Sequence, residues 1–174
     1  MPPASDAQPA SRTLILLRHG KSAYPPGVGD HERPLAARGQ REAGLAGDWI
    51  GKHCPAIEVI YCSTATRTRQ TLAATRLSGP TAFFGEIYGA YPEEVLEVVN
   101  GIDPAVGTAL VVGHSPGIPG LAEDLAGPES DEEALGRLET KFPTSAVAVL
   151  TFTGDWAALR ENDAVLVDFV VPRA

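Results

Sequence analysis

Two histidines in this chain each follow an apolar run and each stand beside residues suited to holding an anion. His19 comes after Leu14-Ile15-Leu16-Leu17-Arg18 and is followed by Gly20. His114 comes after Ala109-Leu110-Val111-Val112-Gly113 and is followed by Ser115-Pro116. A third apolar run, Ile57–Cys62, leads into Ser63 and then Arg67, Arg69 and Gln70. Arginine presents a planar fork of donors that matches phosphate oxygens and stays charged at any working pH. A neutral imidazole is a competent nucleophile toward phosphorus. Neighbouring arginines favour its neutral form, because like charge disfavours imidazolium. A second imidazole can donate a hydrogen bond to the same phosphoryl group. The chemistry these types suggest is phosphoryl transfer in which arginines carry the charge, with no metal and no cofactor needed.

These residues meet only if the apolar runs are neighbouring strands. Five runs read as strands: Thr13–Leu17, Ile57–Cys62, Thr108–Val112, Ala146–Phe152 and Ala164–Val170. Several are continuously apolar, which suits strands covered on both faces. Helical patterns lie between them at Leu35–Lys52, Ala65–Leu77, Pro92–Val99, Ile118–Ala126 and Ser130–Glu139. Ser63 and Thr64 are expected to cap the second helix, and Pro116 to open the fourth. Thr153-Gly154-Asp155 reads as a turn joining the last two strands in a hairpin. This order implies an α/β fold, a three-layer α/β/α sandwich with a mostly parallel central sheet. Ligands of such sheets bind beyond the carboxyl ends of the strands, where the histidines and arginines fall.

The chain has 174 residues, enough for one domain and no second. Residues 1–12 read as a disordered tail without the apolar stretch of a signal peptide, and residues 13–174 as the folded domain. The net charge is −8, which argues against nucleic acid as a partner. No stretch is long and apolar enough to span a membrane. Cys54 and Cys62 are too few for a disulfide framework, so a reducing, cytoplasmic location is expected. Oligomeric state has no signature. His31, His53 and Lys21 read as surface residues, and Arg69 as lying outside the pocket.

Other chemistries are excluded residue by residue. Gly113-His114-Ser115-Pro116-Gly117 matches the serine-hydrolase elbow, but Pro116 lacks the N–H that the oxyanion hole requires, and no histidine follows His114. No phosphate-binding P-loop or dinucleotide fingerprint occurs. The four histidines and two cysteines show no zinc spacing.

With these residues in view, the segment Leu14–Gly20 resembles the signature of the histidine phosphatase superfamily, with its phosphoglycerate mutase-like fold. The chain is similar within it to the small phosphohistidine phosphatases of the SixA type. The likeness extends to Arg33-Pro34-Leu35 with Gly39, to Ser63, Arg67, Gln70 and Thr71, to Gly113-His114-Ser115-Pro116, and to Phe142, Thr144, Ser145 and Ala146. It implies that His19 becomes phosphorylated, that Arg18 and Arg67 grip the phosphoryl group, and that His114 stands opposite. It also implies a phosphate contact for Arg33, whose plain alternative is a solvated loop arginine. Glu86 falls where many relatives carry the acid for the leaving group; its plain alternative, the one favoured here, is an ordinary surface carboxylate, and His114 could donate instead.

Only 46 residues separate Arg67 from His114, too few to add a cap domain. An open site is therefore expected, suited to phosphohistidine on a protein surface. The alternatives are a phosphomonoesterase of small metabolites and a non-catalytic phosphate-binding module. Turnover of an aryl phosphate by wild type and His19→Ala separates the last of these.

Overall fold

A computed structural model describes residues 10–173. The first strand, β1 (Ser11–Arg18), is buried from Arg12 to Leu17. It lies between β4 (Thr108–Gly113), parallel to it, and β5 (Val147–Thr153), antiparallel. β2 (Val59–Ser63) pairs with the other side of β4, and β6 (Val165–Val170) with β5. A short strand, β3 (Thr81–Phe84), completes the sheet order β3-β2-β4-β1-β5-β6. Four neighbouring strands are parallel; β5 runs against them, and β6, antiparallel to β5, runs with them again.

The alternation of strand side chains separates two cores. Ile15, Leu17, Ile60, Cys62, Leu110 and Val112 face α1 (Ala37–His53) and α2 (Thr66–Thr75), meeting Ala46, Ile50 and Leu72. Leu14, Leu16, Ala109 and Val111 face the other way. They pack with Val95 and Val99 of α3 (Pro92–Asn100), Ile118 and Leu121 of α4 (Gly117–Leu125) and Leu138 of α5 (Glu132–Thr140). Helices thus cover both faces, and the expected three-layer α/β/α sandwich is the fold observed. No large cap domain is added to it among the described residues.

The differences from the sequence reading are local. β3 was not expected: its four residues follow Gly79-Pro80 and alternate between exposed and half-buried, as an edge strand does. Ser11 and Arg12, assigned to the tail, belong to β1. The Arg12 guanidinium is buried and donates to the carbonyls of Pro104 (2.8 Å), Val106 (2.7 Å) and Gly154 (2.6 Å). The rest of that expected tail, residues 1–9, lies outside the described residues. Ser63 and Thr64 do not cap α2, whose cap position is Ala65 without a side-chain bond. Pro116 stands at the cap of α4, one residue before its first turn. The last two strands pair as expected, but their connection includes a 3-10 turn, Trp156–Ala158.

Two glycines bring α1 against the loop that follows β1. A Cβ on Gly39 would lie 2.2 Å from the Lys21 carbonyl oxygen, and one on Gly20 would lie 2.7 Å from the Gly39 oxygen. Backbone that close has no room for a methyl group. Gly39→Ala is expected to cost about 1–3 kcal/mol through forced backbone shifts, read as a lowered Tm with reduced turnover. An unchanged Tm would show that α1 does not dock on this loop as described.

Candidate active site

β1 ends at Arg18 and delivers His19 to the rim of the sheet. The backbone of this turn is fixed on three sides. The His19 N–H donates to the Gly113 carbonyl (3.0 Å), and Ser145 N–H approaches the carbonyls of both Arg18 (3.1 Å) and His19 (3.0 Å). Ser145 does this from a left-handed conformation, φ 63°. Gly20 N–H donates to Thr71 Oγ1 at 2.9 Å, which ties the loop to α2.

His19 is buried, and its Nδ1 lies 2.7 Å from the Gly20 carbonyl oxygen. A carbonyl only accepts, so Nδ1 carries the proton and Nε2 keeps its lone pair. Burial lowers the His19 pKa to about 4, and Arg67, Arg18 and Arg33 push it the same way, against the Gly20 hydrogen bond. The ring is therefore neutral and unprotonated at Nε2 near pH 7, the form a nucleophile requires.

Three buried N–H-bearing atoms around it have no partner within the described residues: Arg18 Nε, Arg67 Nε and His114 Nδ1. Each such orphan costs about 1–3 kcal/mol unless a ligand satisfies it. The rest of each side chain is anchored. Arg18 donates to the Phe142 carbonyl (2.7 Å), and Arg67 to the Asp30 carbonyl (2.7 Å) and carboxylate (3.3 Å). The His114 ring lies 5.2 Å from that of His19, centroid to centroid. Its Nε2 is 2.8 Å from Ser63 Oγ, which also accepts from Ala65 N–H (3.3 Å). With Ser63 O–H donating to Nε2, His114 Nδ1 holds a proton to offer an anion. Burial lowers the His114 pKa to about 3, with His19 and Arg67 adding to the effect.

Arg33 joins the cluster through Asp30, to which its Nε donates at 3.0 Å; it also donates to Ser22 Oγ (2.7 Å) and stacks on Tyr24 (4.1 Å). It is held in place, not a free loop side chain. Glu86 is different. It is exposed in a 3-10 turn, Gly85–Ile87, and makes no hydrogen bond or ion pair among the described residues. Tyr88, two residues on, is the side chain of that segment that reaches the cluster.

Asp30 escaped the sequence reading. Its carboxylate accepts from Tyr88 O–H (2.6 Å) as well as from Arg33 and Arg67, and these bonds hold its pKa down to about 2, the Tyr88 bond foremost. An acidic residue three positions before Arg33 was the available signal. His31, expected at the surface, packs edge-on against Tyr88 and lies 2.9 Å from Thr64 Oγ1.

The lowered histidine pKa values carry a stability consequence. Between about pH 4 and pH 6.5 the unfolded chain protonates His19 while the fold resists it, and His114 behaves likewise down to about pH 3. Their contribution is complete above pH 6.5 and declines as pH falls through that window. Tm is expected to drop from pH 7 to pH 4.5, and less so in His114→Ala. Equal slopes in the two proteins would refute the lowered His114 pKa.

An α/β/α sandwich with a neutral histidine ringed by arginine donors at its strand ends defines a phosphoryl-transfer site of the histidine type. Residues 14–81 match the family model of the histidine phosphatase superfamily, branch 1. An uncharacterized protein of Mycobacterium tuberculosis is 49% identical over 158 residues, covering 90% of this chain and all of that protein. The fold superposes with a TM-score of 0.87 on a protein assigned as the phosphohistidine phosphatase SixA of Nakamurella multipartitia. That protein is 40% identical, and the match covers 95% of this chain and 99% of the other. A second protein so assigned, from Agrobacterium tumefaciens, gives a TM-score of 0.74 at 30% identity over 92% and 99% of the two chains. The chain belongs to the histidine phosphatase superfamily and is SixA-like within it; it is a phosphatase.

Proposed function

We infer that the protein hydrolyses phosphohistidine on a protein substrate, through a phosphohistidine of its own at His19. The observation that carries the mechanism is the bare Nε2 of His19, beside His114, in a cluster where Arg18, Arg67 and His114 each keep a buried donor without a partner among the described residues. Nε2 attacks phosphorus as the bond to the leaving group breaks. Arg18 and Arg67 balance the charge on the phosphoryl oxygens, and the His114 Nδ1–H donates to them. Water then attacks the phosphorus of phospho-His19, the P–N bond breaks, and phosphate leaves with His19 neutral again. Arg33 completes the positive wall from its place on Asp30.

The exposed position of Glu86 supports a leaving group that needs little acid. An imidazole leaves more readily than an alkoxide, and the neutral His114 gives a hydrogen bond to the phosphoryl group without giving up its proton. The lack of a cap domain among the described residues supports a phosphate presented on a protein surface over a small metabolite, which a pocket would enclose. The similarity to SixA-assigned proteins supports the same substrate class. The charge supplied by arginine supports metal-independent turnover, so EDTA should leave the rate unchanged; inhibition reversed by a divalent cation would refute this. Two free cysteines support a reducing, cytoplasmic setting.

The test compares kcat/KM for a phosphohistidine-bearing protein with that for an aryl phosphate. Preference for the protein by two orders of magnitude or so is expected, since remote contacts add transition-state binding. Preference for the aryl phosphate and other small esters would instead assign a phosphomonoesterase.

A further inference from the structure

The active-site end of the sheet carries a second collection of cations that plays no part in the chemistry above. Five of the chain's 14 basic residues, Arg38, Arg41, Arg137, Lys141 and Arg173, line two adjoining grooves that share Arg173. The larger, about 570 Å³, has Pro143, Phe169 and Val171 on its apolar floor.

Topology places these grooves beside the catalytic rim. β5 starts at Val147 opposite Leu17, and β6 ends at Val170 opposite Val147. Arg173 follows the end of β6, and Lys141 follows α5, both at the end where β1 delivers His19. Arg38 and Arg41 lie in the first turns of α1, next to the loop after His19. The link is covalent and short: Lys141 and Pro143 flank Phe142, whose carbonyl accepts from Arg18.

The acidic groups nearby do not cancel the arc. Glu42 is buried and paired with both Arg38 (2.5 Å) and Arg173, so it holds those cations in place. Glu133 pairs with Arg137 at 3.8 Å, and Glu132 lies beside it at the start of α5, away from the rim. Glu139 does not line either groove. Arg41 and Lys141 are exposed and have no ion-pair partner among the described residues. Five basic residues against the three carboxylates that line the grooves, Glu42, Glu132 and Glu133, leave a local excess of positive charge on a chain of net charge −8.

We propose that this basic arc docks an acidic stretch of the phosphorylated protein substrate, steering its phosphohistidine to His19. The proposal rests on the phosphohistidine reading given above and names the partner's chemistry. Opposite charge attracts such a stretch, the apolar floor accepts its non-polar side chains, and the carboxylates of an unphosphorylated protein without that stretch gain no hold. Small phosphate esters, which do not reach the arc, are indifferent to it.

The experiment uses two phosphohistidine peptides, one flanked by Glu and Asp and one by Gln and Ser, with p-nitrophenyl phosphate as the small substrate. At low salt the wild-type protein should prefer the acidic peptide by about tenfold in kcat/KM, and the preference should vanish near 1 M NaCl, where charges are screened. The double variant Arg41→Glu, Lys141→Glu should lose the preference at every salt concentration while turning over p-nitrophenyl phosphate at the wild-type rate. Arg41→Gln, Lys141→Gln should fall between. Equal use of the two peptides by the wild type, or a preference that survives in the Glu variant, overturns the proposal alone. Turnover of p-nitrophenyl phosphate with neither peptide used overturns the phosphohistidine reading and the docking arc together. Salt-sensitive dimerisation lost in the Glu variant, without peptide preference, would assign the arc to a second copy of the chain.

Discussion

His19→Ala is expected to lower kcat by at least about 10⁴-fold, because it removes the atom to which phosphorus becomes bonded. The loss should be in kcat for every substrate tested, peptide or aryl phosphate. The fold should survive it. Among the described residues, this side chain hydrogen-bonds only to the adjacent Gly20 carbonyl, whereas the clamps from Gly113 and Ser145 act on the backbone. Circular dichroism and a cooperative melt would establish that. A folded His19→Ala protein with a tenth of wild-type kcat would mean that water attacks the substrate directly and that His19 merely binds it.

Arg67→Ala is expected to lower kcat/KM by about 10³-fold, the scale seen when one preorganised donor to developing charge is removed from a dry site. The side chain is buried and works in three directions: one amino group on the Asp30 carbonyl, one on its carboxylate, and Nε left for the phosphate. Arg67→Lys should recover little of the loss, since an ammonium cannot hold Asp30 and reach the phosphate through a planar fork. Both variants should also loosen Asp30 and, through it, Arg33. Full recovery by lysine would show that net charge, not geometry, is what the site needs from this position.

The grouping of the candidate site was legible because strand ends are legible. Continuous apolar runs terminated at Arg18-His19, Ser63 and Gly113-His114, and the parallel order of β1, β4 and β2 brings those termini together. Element boundaries mostly fell within two residues for the same reason. What was not legible arises from side chains acting across loops. Asp30 sits in a Pro- and Gly-rich stretch without periodicity, and its role depends on Arg67 and Tyr88, 37 and 58 residues away. Ser63 looked like a helix cap because serine before a helix usually is one; here its hydroxyl is engaged by His114 across the sheet. β3 is too short to show a period, and it forms because β2 offers an unpaired edge. Glu86 was placed by position within a likeness, and the turn that carries it exposes it while aiming Tyr88 at the cluster.

The most direct measurement is rapid-quench trapping of the protein during turnover, followed by mass spectrometry under mildly alkaline conditions that preserve a P–N bond. Acid-labile phosphate on His19, formed within the first turnover and lost as product appears, is the expected result. Turnover at the wild-type rate with no label on His19, or with label on another residue, would contradict the role assigned to that histidine.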